Sequence, residues 1–233
     1  IPADFIDTDK MWVGLTMRAR VLVYAKDRVK PDDLSTYEDL TQPKWKGKLV
    51  TRSSNNIYNQ SMLAAFIAMN GEAQAKTWAA GIAANFAKQP EGGDRDQAKA
   101  VAAGKADVAI MNSYYLGQML SSKDPLEVKA AESLGVFFPN QNTTGTHVNI
   151  SGAGIVKTAK NVDHAMKLLE YLSDIEAQQK FAEASTEYPV NPAVEPSALL
   201  KQWGSFRKQN LNLSKLGEHN RRAVQIFNEV GWK

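Results

Sequence analysis

The feature that most constrains the fold is a rhythm. Short apolar strands alternate with helical stretches of about 10–15 residues along the whole chain, the signature of an α/β sheet. Strand patterns rich in Val, Ile and Leu fall at residues 20–24, 49–51, 106–111, 134–138 and 150–156. Helical patterns fall at 59–69, 72–86, 96–104, 162–172, 174–184 and 218–230, with a shorter one at 36–40 and another running from 113 to about 121. Asn70-Gly71 is a stop for the first of these, because glycine accepts the left-handed backbone that closes a helix. Gly81 is a soft break in the second, Thr36 or Ser35 a cap for the short helix, and Ser173 a cap between the two later ones.

Composition narrows the function classes. A chain of 233 residues suits one large domain or two modest lobes. No uncharged apolar run approaches the ~18 residues of a membrane-spanning helix. The net charge of +3, from 28 basic and 25 acidic residues spread evenly, gives no basic face for nucleic acid. The absence of cysteine excludes disulfide frameworks, thiolate metal sites and a cysteine nucleophile. The chain opens Ile1-Pro2-Ala3, with no initiator Met and no leader pattern, so the expectation is a processed, trimmed or incomplete polypeptide.

The classical catalytic groupings are missing. His147, His164 and His219 are far apart, with no HxH or HxxxH pair, and no GxSxG nucleophile elbow exists. Residues 151–156, SGAGIV, contain a GxG but lack the third glycine and the downstream acid of a dinucleotide site. They read as a strand with close backbone approach.

The tyrosines are more informative. Tyr114 and Tyr115 are adjacent, just after a strand pattern and before a helix. At such a turn both rings can enter one cleft, at the carboxyl end of a strand, where α/β sheets bind ligands. Tyr58 holds a similar place before the helix at 59–69. Phenols titrate near ~10 and are poor anions at neutral pH. A hard trivalent ion changes that by displacing the proton and taking the phenolate oxygen. Three phenolates cancel the charge of Fe³⁺, a better match than for Cu(I), Zn²⁺ or Fe²⁺. Residue types and spacing leave a plainer alternative open: half-buried rings pinning loops to the core.

The run MWVGLTMRARVLVYAKDRVKPDDLSTYEDLTQPKWKGKLVTRSSNNIYNQSM, together with NSYYLG, LGVFFPNQ, GTHVNISGAGIV and EYPVNP, resembles periplasmic ferric-iron-binding proteins of ABC importers, the FutA/IdiA branch of the Fbp group. The resemblance spans almost the whole chain. It implies a two-lobed, Venus-flytrap architecture with Fe³⁺ held between the lobes, in a non-enzymatic, monomeric periplasmic receptor that hands iron to a membrane permease, without membrane insertion or nucleic acid. It implies that Tyr58, Tyr114 and Tyr115 are metal ligands. Arg18 would face the site and hold a synergistic anion such as carbonate or offset phenolate charge, and Asn112 would line the anion side. Arg20, Arg52 and Ser54 are nearby candidates. The resemblance assigns residues 17–138 and 191–233 to a C-terminal lobe carrying the tyrosines. Residues 1–16 and 140–188 go to the remainder of an N-terminal lobe, whose first part, with a further tyrosine and often a histidine, would precede Ile1. Chain crossings are expected near Gly14–Thr16, at Phe138–Pro139 and at Tyr188–Pro189. Two other readings stand beside this one: a receptor of the same fold for an oxyanion or small organic molecule, with Arg18 and Arg52 as main contacts, and an iron–tyrosinate hydrolase, which would need several His and Asp ligands.

Overall fold

A computed structural model describes residues 1–233. Its spine is one long strand, β1 (Val13–Ala25). The sequence pattern at 20–24 catches only the second half, where the apolar run is continuous. The first half alternates, and Thr16, Arg18 and Arg20 fall on one side of the pleat.

β1 changes partners along its length. Val13–Ala19 pair antiparallel with β5 (Val148–Ala153), and Thr16–Met17 with β6 (Tyr188–Pro189). From Arg20 onward β1 pairs antiparallel with β3 (Val108–Asn112), and from Leu22 with β4 (Leu134–Phe137). Beside β3 lies β2 (Leu49–Val50), the parallel neighbour. The sheet is therefore mixed, and alternation along the chain does not become parallel pairing at β1. The close backbone approach expected at 151–156 is present, since a Cβ on Gly152 would sit 2.8 Å from the Val13 carbonyl oxygen, but the strand ends at Ala153 rather than running to 156.

The helices are α1 (Ile57–Asn70), α2 (Glu72–Ala84), α3 (Asp94–Ala102), α4 (Ser113–Leu120), α5 (Pro125–Glu132), α6 (Val162–Ser173), α7 (Ile175–Ser185), α8 (Ala198–Gln202) and α9 (Ser214–Val230). Several expectations need correction. Residues 36–40 form no α-helix; Thr36 Oγ1 accepts the Asp39 amide and only a 3-10 turn, Asp39–Thr41, follows. Gly81 does not break α2. Ser173 is the last residue of α6, and Asp174 caps α7 through the Ile175 amide. α5 lies outside the helical patterns named above, although Asp124 caps it and Pro125 occupies its first position, a combination that marks helix starts.

Alternate residues of β1 feed two apolar clusters, as a pleated strand requires. Leu22 and Tyr24 join Leu49, Leu63, Phe66, Trp78, Ile110 and Phe227. Val21 and Val23 join Ala109, Met111, Leu116, Met119 and Leu134 on the other face. Thus α1 and α9 cover one face and α4 the other. β2 and β3 run parallel, so the helices that follow them, α1 and α4, start at the same sheet edge from opposite faces. That edge is where the tyrosines lie.

Candidate metal centre

Each tyrosine is set by a helix start. Asn56 caps α1, its side-chain oxygen accepting the Tyr58 amide at 3.1 Å. This fixes Tyr58 in the first turn of α1, on the side from which its hydroxyl meets Tyr114. Tyr114 and Tyr115 occupy the first turn of α4, directly after β3. The Tyr114 carbonyl accepts a hydrogen bond from Thr186 Oγ1 at 3.0 Å.

The rings converge. The hydroxyls of Tyr58 and Tyr114 are 3.2 Å apart. The rings of Tyr114 and Tyr115 lie with centroids 4.1 Å apart at a tilt of 30°. Tyr114 is buried, with its two neighbours half-buried. Burial, then the hydrogen-bonding hydroxyls of Tyr115 and Tyr58, push the Tyr114 phenol well above its ordinary range. Tyr114 therefore keeps its proton at neutral pH. An octahedral ion with oxygens at about 2.0–2.1 Å places adjacent ones about 2.9 Å apart. The Tyr58–Tyr114 spacing is close to what such an ion needs.

Arg18 arrives from β1. Its guanidinium carbon stands 5.4 Å from the centre of the Tyr58 ring and 6.0 Å from that of Tyr114, within reach of a cation–π attraction. The Arg52 guanidinium carbon also lies 5.9 Å from the centre of the Tyr58 ring. Asn112 is deeper: it is fully buried, its amide oxygen accepts from Arg20, and its amide nitrogen has no partner. Ser54 offers its carbonyl to Gln60 at 3.0 Å.

Arg20 does not join the tyrosines but lies buried beneath their helix starts. Its side chain, 1% exposed, pairs with Asp94, which is wholly buried. It also donates to Asn112, Thr51 and Asn59. Asn59 follows Tyr58, and Asn112 precedes Ser113-Tyr114, so one buried guanidinium ties together the two helix starts that present the phenols. The sequence pattern does not reveal this hub, since Asp94 is 74 residues from its partner.

The remaining candidates fall elsewhere. His147 is 2% exposed. Its Nδ1 bonds Gln209 Oε1 at 3.0 Å and its Nε2 faces Asn149 Nδ2 at 3.3 Å. Burial depresses its pKa to about 4, against a weaker opposing bond to Gln209. His164 is exposed on α6. Among the other tyrosines, Tyr37 has the plainer role: it is buried, donating to the Arg20 carbonyl and accepting the His147 amide.

Fold and site together bring phenol oxygens and a guanidinium to one edge of the sheet. The chain belongs to the bacterial extracellular solute-binding protein family, whose pattern matches residues 2–207. It is 46% identical over 233 residues to iron uptake protein A1 of Synechocystis, covering all of this chain and 65% of that protein. It is 47% identical over 235 residues to iron uptake protein A2 of the same organism, covering all of this chain and 68% of that one. The solved structure of Trichodesmium IdiA (FutA) in complex with iron and citrate ligands is 50% identical, with a TM-score of 0.98, over all of this chain and 74% of that one. The chain thus spans about two thirds of the length of these curated relatives.

Proposed function

We propose that this chain is the tyrosine-bearing part of a periplasmic receptor that binds Fe³⁺ and delivers it to the permease of an ABC importer. The observation that carries the proposal is the approach of the Tyr58 and Tyr114 hydroxyls to 3.2 Å with the Tyr115 ring stacked beside them. Tyr58, Tyr114 and Tyr115 supply phenolate oxygens to the ion. As it arrives, three phenol protons leave to water, so the net charge of the site is the same with the ion bound as without it. Arg18 faces the phenolates and holds a synergistic anion such as carbonate, with the unpartnered amide nitrogen of Asn112 as a further donor on that side. The relatives named for iron uptake support the choice of cargo.

The protein acts as a monomer of two lobes. Residues 17–138 and 191–233 form the tyrosine lobe, supported by α9 packing into the same apolar cluster as α1. Residues 1–16 and 140–188 belong to the other lobe, with support from the pairing of β5 and β6 with the first half of β1, although that ladder continues past the boundary to Ala19. Closure of the lobes encloses the ion.

Calorimetry separates this reading from an anion receptor. Ferric citrate is expected to give a saturable binding signal that Tyr58→Phe weakens. Carbonate or phosphate without metal is expected to give none; strong metal-free oxyanion binding, lost in Arg18→Gln, would overturn the iron assignment.

A further inference from the structure

The link between α7 and β6 meets the tyrosine site at two points. Thr186 holds a left-handed backbone, with φ of 55°, that turns the chain sharply out of α7. Its hydroxyl bonds the Tyr114 carbonyl. α4 carries Gly117 where this hydroxyl presses in: a Cβ there would lie 2.9 Å from the Thr186 side chain. The next residue, Glu187, is buried. One carboxylate oxygen accepts the Thr16 hydroxyl, and the other accepts Arg18 Nη1 at 3.4 Å. The two charged side chains are only 14% and 11% exposed, so water does little to dissolve the pair. Arg18 is further anchored by Ser151 Oγ at 2.6 Å and the Ile150 carbonyl at 3.2 Å. One guanidinium is thus held by Glu187 and β5 on one side and lies against two phenol rings on the other.

We propose that Glu187 is a positioning residue for the phenolate site: it aims Arg18 at the Tyr58 and Tyr114 rings, and so makes the strength of ion binding depend on the α7–β6 link. This rests on the ferric reading above for its consequence, but not for its geometry. Because ion binding exchanges three protons for one trivalent charge, a carboxylate at this distance changes little through net charge. It acts by fixing where Arg18 sits. Without it, Arg18 keeps its bonds to β5, from Nη1 to Ser151 Oγ and from Nη2 to the Ile150 carbonyl, but loses the charged partner that holds Nη1 from the α7–β6 link. The phenolates then form beside a guanidinium held from β5 alone.

Two measurements separate the parts. The first needs no metal. The Arg18 guanidinium signals in nuclear magnetic resonance spectra, assigned with Arg18→Lys, should show ring-current displacement by the tyrosines. Glu187→Gln should lose that displacement, Glu187→Asp should retain part of it, and Thr16→Val should lose some. An unchanged Arg18 signal in Glu187→Gln overturns the proposal. The second is ferric binding followed by competition with a chelator. Glu187→Gln should weaken it about 10–100-fold, the range for residues that orient ligands from behind, and move the visible absorption maximum, with partial recovery in Glu187→Asp. Matching melting temperatures establish that the variants fold. Wild-type affinity and band position in a folded Glu187→Gln overturn the coupling. A wild-type protein that takes no ferric ion overturns the ferric reading, and with it the coupling, while the resonance displacement still decides the positioning role.

Discussion

At the scale of single residues, seven tyrosines divide by environment rather than by type. Tyr37 is locked into the core by two backbone bonds, whereas Tyr58, Tyr114 and Tyr115 meet at one sheet edge. The adjacent pair and its strand-to-helix position were legible in the sequence. The part played by Glu187 was not, because its Arg18 partner lies 169 residues away and acidic residues near a helix end carry no pattern of their own. His147 gives a prediction at this scale. Its neutral ring donates from Nδ1 to Gln209 and accepts at Nε2 from Asn149, so protonation sets two donors against each other. Its pKa falls from 6.5 to about 4 on folding. The stabilisation is therefore fully present above pH 6.5 and is lost as pH falls toward 4, amounting to about 3 kcal/mol. Denaturant melts across that range should show the slope, and His147→Gln should flatten it. A stability unchanged from pH 7 to 4 would contradict the assignment.

At the scale of elements, the helix starts are the working parts. The pattern at 59–69 and the strand before Asn112 were readable because caps and apolar runs are local signals. The antiparallel partners of β1 were not, since register is set by contacts between distant segments. The Arg20–Asp94 pair was hidden for the same reason. That pair predicts a large effect. Asp94→Ala leaves a buried guanidinium without its counter-charge, which costs about 3–5 kcal/mol. It should also loosen the anchors on Asn59 and Asn112, weakening ferric binding beyond the loss of stability. An Asp94→Ala variant with wild-type stability would refute the account of the hub. A milder effect is expected from Asn56→Ala, which removes the α1 cap behind Tyr58 at about 1 kcal/mol; urea unfolding measures it.

At the scale of the whole molecule, β1 does two jobs. Its second half is the centre of the tyrosine-bearing sheet, and its first half pairs with β5 and β6. Arg18 stands just before the change of partners, where it can sense both. Ion capture should also be a proton-linked event for the molecule. Since burial and neighbouring hydroxyls keep Tyr114 protonated, a ferric ion must expel phenol protons, and affinity should rise with pH. Proton release on loading, followed by pH-stat, should approach about three per ion and drop by about one in Tyr58→Phe. The central claim is tested most directly by visible absorption during ferric loading. The account predicts a phenolate-to-iron charge-transfer band in the wild-type protein that disappears in Tyr114→Phe/Tyr115→Phe while the melting temperature holds. A protein that stays colourless when loaded, or a double variant that keeps the full band, would contradict it.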